Sequence, residues 1–454
     1  MNRSRFTPRV EMLEDRTTPA TLRLIGGNAF ISNPATSTLS LTATGINTFN
    51  LTDGALSVNF TAGGTVFITG SNKADTINFD VAGNSFTGSL FVQGCNGNDT
   101  INIFSSVDGG ELRGNVTAIT GRGNDTLNLN NTAATAMTFR GRIQALNTVG
   151  NDVINLGNAT GVTTFLGDVL STGFSDVNVG FGAADVYGRD LIVRLLHQTQ
   201  PLDVFMDANI TFGRDVTIYG TPLADTVNIL GPDTIGRNLN ISLGVGNDFI
   251  IVSDVDVFAG GPLTVQGNFN LDMGQGDNSY DLDDPFQVFG DMNIWGGNGQ
   301  NFVNNFNGST GGDLRAFFGN GDNNINLATT GLTIAGDFHY TAGNGFNAIG
   351  FADVVIAGMV DIHLGNGNNV VTAIDPAVFG GTFNLQTGNG DNNLSFVYFS
   401  PILLDLNVQF GNGNDTVLVF GTTLTGTVDG GGGTNTFIDA GGNTYLPTFT
   451  LVNF

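Results

Sequence analysis

Basic residues are scarce. Lysine occurs once, at Lys73, and Lys and Arg together number 15 against 40 Asp and Glu, giving a formal net charge of -25 over 454 residues. So few cations cannot neutralise a phosphate backbone, which argues against nucleic acid as a partner. The charge suits solubility outside the cell and an affinity for cations. Cysteine is also single, so no intrachain disulfide forms; Cys95 reads as a small buried filler at a turn. Glutamate is confined to Glu11, Glu14 and Glu111. The strong helix formers Glu, Lys and Gln, which lose little side-chain entropy in a helix, give way to Gly, Asn, Asp and Thr. No run of 18 apolar residues occurs, so no membrane-spanning helix is expected.

What is abundant points one way. There are 67 glycines, with Val, Ile, Leu and Phe spaced between Asn, Asp and Thr. That mixture suits short strands joined by tight turns. A hydrophobic content of 40% is sufficient for a core and argues against disorder.

The chain repeats itself. The clearest unit is Gly411-Asn-Gly-Asn-Asp415-Thr-Val-Leu-Val419, with earlier copies at Gly97–Ile103, Gly123–Leu129 and Gly246–Asp248. Taking the Asp or Asn of this unit as an anchor, the series runs Asp75, Asp99, Asp125, Asp152, Asp225, Asp248, Asn278, Asn301, Asn323, Asn347, Asn369, Asn392, Asp415 and Asn435. Two degenerate anchors, Ser175 and Gln200, bridge the long gap after Asp152. The period is close to 23 residues and gives about sixteen coils. A second mark precedes most anchors by about half a repeat: a Gly, then alternating apolar positions, as in Gly290-Asp-Met-Asn-Ile294, Gly336-Asp-Phe-His-Tyr340 and Gly213-Arg-Asp-Val216. One unit therefore reads as strand, Gly-rich turn, anchor, strand and variable loop.

Alternation places one set of side chains on one face of each strand. Two such strands cannot bury an apolar face alone, whereas stacked coils bury it continuously. The predicted fold is all-β, a parallel β-helix or β-roll solenoid, roughly 75 Å long at about 4.8 Å per coil. A string of independent hairpin domains is the competing fold; its weakness is that the period persists without linkers. The array is expected over 71–440, with capping coils over 21–70 and a last capping strand over 441–454.

Residues 1–20 are basic, with Arg3, Arg5, Arg9 and Arg16, and lack the apolar stretch of a secretory signal. The stretch Val10-Glu-Met-Leu-Glu-Asp-Arg-Thr-Thr-Pro-Ala20 resembles the N-terminal segment of many large exported planctomycete proteins. The resemblance covers under a twentieth of the chain and implies export or an extracellular or cell-surface location.

The unit Gly-x-Gly-x-Asp-x-apolar resembles the haemolysin-type (RTX) calcium-binding repeat. That family holds Ca²⁺ in stacked turns with Asp carboxylates and backbone carbonyls. Carried over, the resemblance implies Asp99, Asp125, Asp248 and Asp415 as calcium ligands. Asp75 and Asp152 match less well, and Asp225 joins as the neighbour of Asp248. The family repeats every nine residues and loads both turns of a coil, whereas here one turn per coil carries the motif and many anchors are Asn. Stacked carboxylates repel unless a cation or protons intervene. Stacked amides need neither, because each donates to one neighbour and accepts from the other. Turn residues bonding their own backbone are the plainer explanation of the whole column. Asp277, Asp322 and Asp391 sit one residue before neutral anchors and are expected to point away. Asn78, Asn102, Asn128, Asn155, Asn228 and Asn326, three residues after their anchors, are expected on the outer face.

A β-helix also invites an enzymatic reading, a polysaccharide lyase or hydrolase, by fold analogy alone. Catalysis needs acids gathered with a base or a metal. His197, His339 and His363 fall at different distances from their anchors and are not expected to converge, and pairs such as Asp283-Asp284 are common in an Asp-rich chain. The expectation is a structural or adhesive scaffold with surface polysaccharide or matrix proteins as partners. The irregular coils over 153–235, with Arg189, Arg194, Arg214 and Arg237, are the candidates for specific contact.

Overall fold

A computed structural model describes residues 20–454 except 33, 35, 133, 159, 181–183, 196–198, 208, 254–261, 283–284 and 305. The N-terminal basic segment to residue 19, His197 and the Asp283-Asp284 pair lie outside the described residues. Every element among the described residues is a strand, and from Thr76 onward the strands stack in parallel as a solenoid.

Each coil contributes three strands rather than two. On the first face the strands follow the anchors, from Thr76–Asp80 through Thr100–Phe104 and Thr126–Leu129 to Thr436–Asp439, sixteen in all. A short second face fills what the sequence shows only as a variable loop: Ser85–Phe86, Gly110–Leu112, Met137–Phe139 and their successors. These strands are two or three residues long in most coils, too short for a visible alternation. The third face follows the glycine mark, as in Leu90–Asn96, Val116–Arg122 and Ile143–Leu146.

Register is strict. Ile101 lies over Ile77 and under Leu127, and Asn102 lies between Asn78 and Asn128. A slip by one residue would turn every apolar side chain outward, so the buried face locks the pairing. Ile77, Ile101, Leu127 and Ile154 are fully buried, and one continuous core runs the length of the stack. Inside the second face Phe139, Phe165, Tyr187 and Phe212 stack ring on ring with centroids 5.1, 4.7 and 4.9 Å apart.

Two residues before the anchor, the turn needs glycine. Gly123 has φ +135°, and a Cβ there would stand 1.8 Å from the carbonyl oxygen of Gly97 in the preceding coil. An L side chain has neither the conformation nor the space.

The start of the chain closes differently from the coils expected over 21–70. Thr21–Ile25 and Asn28–Ser32 form an antiparallel hairpin, and Thr38–Gly45, Thr48–Asp53 and Leu56–Thr61 an antiparallel meander. Asn28–Ser32 stacks in parallel on Val66–Thr69, and Thr38–Gly45 on Thr76–Asp80. At the other end Thr450–Val452 adds to the third face beside the long strand Thr416–Asp429. No helix among the described residues is long and apolar enough to cross a membrane.

Candidate functional site

The Asp and Asn anchors from Asp75 to Asp415 are buried in one column at the corner between the third and first faces. The backbone N–H of Asp75 donates to Oδ1 of Asp99 (2.8 Å), that of Asp99 to Oδ1 of Asp125 (2.7 Å), and that of Asp125 to Oδ1 of Asp152 (2.7 Å). The Asp152 N–H meets the hydroxyl of Ser175 (3.1 Å). In the next coil the corner is occupied by Leu202, not by Gln200: Asp203 pairs with Asp176 and Thr226, and the Leu202 N–H donates to Oδ1 of Asp225 (2.7 Å). The ladder resumes from Asp225 to Asp248 (2.8 Å) and from Asp248 to Asn278 (3.0 Å).

From Asn278 to Asn392 the side chains themselves link. Nδ2 of Asn301 donates to Oδ1 of Asn323 (2.7 Å), Asn323 to Asn347 (2.9 Å) and Asn347 to Asn369 (2.8 Å). The same amide nitrogens reach carbonyls of their own turns, as Asn323 does to Gly319 (3.2 Å) and Gly321 (3.0 Å). Each buried amide is satisfied on both ends, which rigidifies the corner.

An aspartate has no N–H to offer there. Oδ2 of Asp99, Asp125, Asp248 and Asp415 is buried and meets no donor. These four are the residues that best match the calcium-repeat motif. The other three candidates have both oxygens engaged or turned to local donors. Asp75 accepts from the Ser71 N–H, Asp152 from Nδ2 of Asn147, and Asp225 from both the N–H and the hydroxyl of Thr221. Burial pushes Asp99 up to about 7, with Asp125 and Asp75 adding repulsion, and Asp248 likewise to about 7 beside Asp225. Asp152 rises to about 6, and Asp125, Asp225 and Asp415 are also raised, all chiefly by burial. A bare buried carboxylate oxygen is completed by a proton or by a cation. A carboxylate oxygen is a ligand type for a hard cation such as Ca²⁺. Asp99 and Asp125 are the consecutive pair with an unfilled oxygen in each turn.

Asp277, Asp322 and Asp391 are exposed, on an outer ladder of their own: the Gln300 N–H donates to Asp277 (2.9 Å), that of Phe346 to Asp322 (2.9 Å) and that of Asn414 to Asp391 (2.7 Å). The first-face asparagines are more ordered than outer-face solvent contact implies. Asn102 donates to Asn78 (2.8 Å), Asn128 to Asn102 (2.7 Å) and Asn155 to Asn128 (2.7 Å). Asn228 lies instead between Phe205 and Ile251, outside this chain of amides. Cys95 is half-buried near the end of the strand Leu90–Asn96 rather than at a turn, with φ +93°, and burial raises its thiol pKa.

The two described histidines do converge. His339 and His363 both face Asp361, at 3.5 and 3.3 Å. Ligand atoms of Asp313, Asp337 and His339 lie within 4.8 Å of one another, on the partly exposed surface of the third face. Counted from the anchors these residues look scattered. Counted from the glycine mark they align, because Arg315, His339 and Asp361 are stacked in register. The aspartates beside them form another ladder: the Asp313 N–H donates to Asp291 (2.9 Å), Asp337 to Asp313 (2.8 Å) and Met359 to Asp337 (2.8 Å). Arg315 spans Asp291 and Asp313. In the irregular coils Arg214 reaches Asp190 (3.3 Å), Arg237 reaches Asp215 (3.4 Å) and Arg194 donates to Thr172 (3.2 Å), so three of the four arginines hold neighbouring coils together.

No family model matches the chain, and no curated protein matches it.

Proposed function

We propose that the protein is an extracellular or cell-surface β-solenoid with a structural or adhesive role, partnered by surface polysaccharide or matrix proteins, and not a catalyst. The observation that carries the reading is the continuous parallel stack, whose corner ladder runs from Asp75 to Ser175 and again from Leu202 to Asn435. It joins sixteen coils, about 75 Å of stack, into one stiff body with a repeating outer surface. The resemblance of residues 10–20 to exported proteins and the acidic composition support the location.

Calcium belongs to this proposal. Asp99 and Asp125 would hold one ion between consecutive turns, Asp248 another beside Asp225, and Asp415 a third with backbone carbonyls. Ion binding to the native state stabilises it by RT ln(1 + [L]/Kd), about 2.7 kcal/mol per site at a hundredfold excess over Kd. Hydrogen exchange with calcium and with chelator tests it. Protection is expected to rise around Asp99 and Asp125 and to stay level from Asn301 to Asn369. Equal changes along both stretches, or none, would leave the ladder purely structural.

The gathering of Asp313, Asp337 and His339 favours a second reading, hydrolysis or lysis of a polysaccharide, because it brings a base close to carboxylates. Turnover of a polysaccharide that disappears in both His339→Ala and Asp337→Asn would establish it over the scaffold.

A further inference from the structure

The outer surface of the third face carries a column of side chains in register, one per coil: Arg194, Tyr219, Ser242, Asp272, Trp295, Phe317, Thr341. Most are polar, as a solvated sheet face requires. Tyr219, Trp295 and Phe317 break the pattern, and Tyr219 and Trp295 are 50% and 38% exposed. Trp295 is the only tryptophan in the chain. Its ring is backed by Phe317, with centroids 6.4 Å apart and planes inclined by 16°. Between the two aromatic walls the short side chains of Ser242 and Asp272 leave a trough of about 410 Å³.

The floor of the trough is built of hydrogen-bonding groups. Nδ2 of Asn293 donates to Asn270 (2.9 Å), and Nδ2 of Asn270 to Asn240 (2.8 Å). This run of amides ends at Asn240, whose own Nδ2 has no partner among the described residues. Oδ1 of Asp272 accepts from the Gly274 N–H (3.0 Å), leaving Oδ2 to the trough. Ser242 adds a hydroxyl.

We infer that the Tyr219–Trp295 trough binds a neutral oligosaccharide lying along the solenoid axis. The two rings offer flat apolar surfaces for the C–H faces of pyranoses, and the amide, hydroxyl and carboxylate between them pair with sugar hydroxyls. Three coil rises separate the rings, about 14 Å, and one rise is close to the length of one pyranose in an extended chain, so successive sugars meet successive coils. The other extended polymers fit poorly. A nucleic acid or a polyuronate meets a chain of net charge -25. A peptide strand needs an open sheet edge, and here the sheet presents its face. The inference rests on the adhesive reading above and names the ligand class and the place.

The lone tryptophan makes the site report on itself. The intact protein is titrated with cello-, xylo-, manno- and laminari-hexaose while its tryptophan emission is followed. At least one series is expected to give a saturable change. Tyr219→Ala, which keeps the reporter, is expected to weaken binding about tenfold or more, and Trp295→Ala to do the same by calorimetry. Tyr219→Phe, which keeps the ring, is expected to stay near the parent. No saturable response at millimolar sugar, unchanged affinity in Tyr219→Ala and Trp295→Ala, or preferential binding of oligogalacturonate overturns the inference. Adsorption to insoluble neutral polysaccharide separates the two failures: if it persists in both alanine variants, adhesion stands and this site falls.

Discussion

The backbone N–H of Asp99 donates to Oδ1 of Asp125 at 2.7 Å, while Oδ2 of the same Asp125 carboxylate is buried without a hydrogen bond. Two coils are thus joined by a group that is only half satisfied. The asparagine corners further along complete the same position with an amide N–H.

The first consequence is a pH dependence. Asp99 and Asp248 are raised by burial to about 7 from an unfolded value of about 4. Between those pH values the native state holds more protons than the unfolded chain, so this contribution to stability is fully present below pH 4 and is lost as pH rises through 7. In chelator, Asp99→Asn and Asp248→Asn are therefore expected to flatten the fall in stability between pH 5 and 8. They should gain about 1 kcal/mol at pH 8, the worth of a restored hydrogen bond. Denaturant melts at the two pH values check it; an unchanged pH slope in both variants counts against the half-satisfied corner.

The reverse substitution should hurt. Asn323 uses Nδ2 to reach Asn347, Gly319 and Gly321. Asn323→Asp turns that donor into a buried acceptor facing three oxygens, at an expected cost of about 3–5 kcal/mol at pH 8. Much of the loss should return at pH 4, where the acid is protonated and can donate. Melts of the variant and parent at both pH values measure it.

Gly123→Ala tests the turn. The added Cβ would collide with Gly97 and hold a positive φ, so a loss of about 1–3 kcal/mol or more is expected. Gly109→Ala is the control for the φ cost alone, because its backbone also has positive φ but a Cβ there meets nothing within 4 Å. The clash should make the first variant the weaker by equilibrium unfolding.

Coil-by-coil stacking predicts local damage. Ile101 is fully buried between Ile77 and Leu127. Ile101→Ala is expected to cost about 2–5 kcal/mol and to lower amide protection chiefly in the coils around it. Equal loss of protection at Ile101 and at Val417 would point instead to a single cooperative unit.

The sequence by itself determined the all-β class, the period and the anchor column, because alternation and a repeated Gly-x-Asp turn are local patterns that stacking can only satisfy one way. Within the anchor column, the preceding glycines also mark Asp99, Asp125, Asp248 and Asp415, whose Oδ2 is unfilled; Asp168, Asp185 and Asp233, which lack the motif, carry an unfilled oxygen elsewhere. Tertiary structure decided the rest. The second-face strands, such as Ser85–Phe86, are too short to show a period and exist only because neighbouring coils pair with them. Leu202 takes the corner from Gln200 because register with Thr226, not residue type, chooses the position. His339, His363 and Asp361 meet, and Tyr219 faces Trp295 across three coils, because distance along a solenoid is counted in coils and faces. Residues separated by 22 positions become neighbours, and residues separated by 76 come to line one trough, only once the stack sets their register.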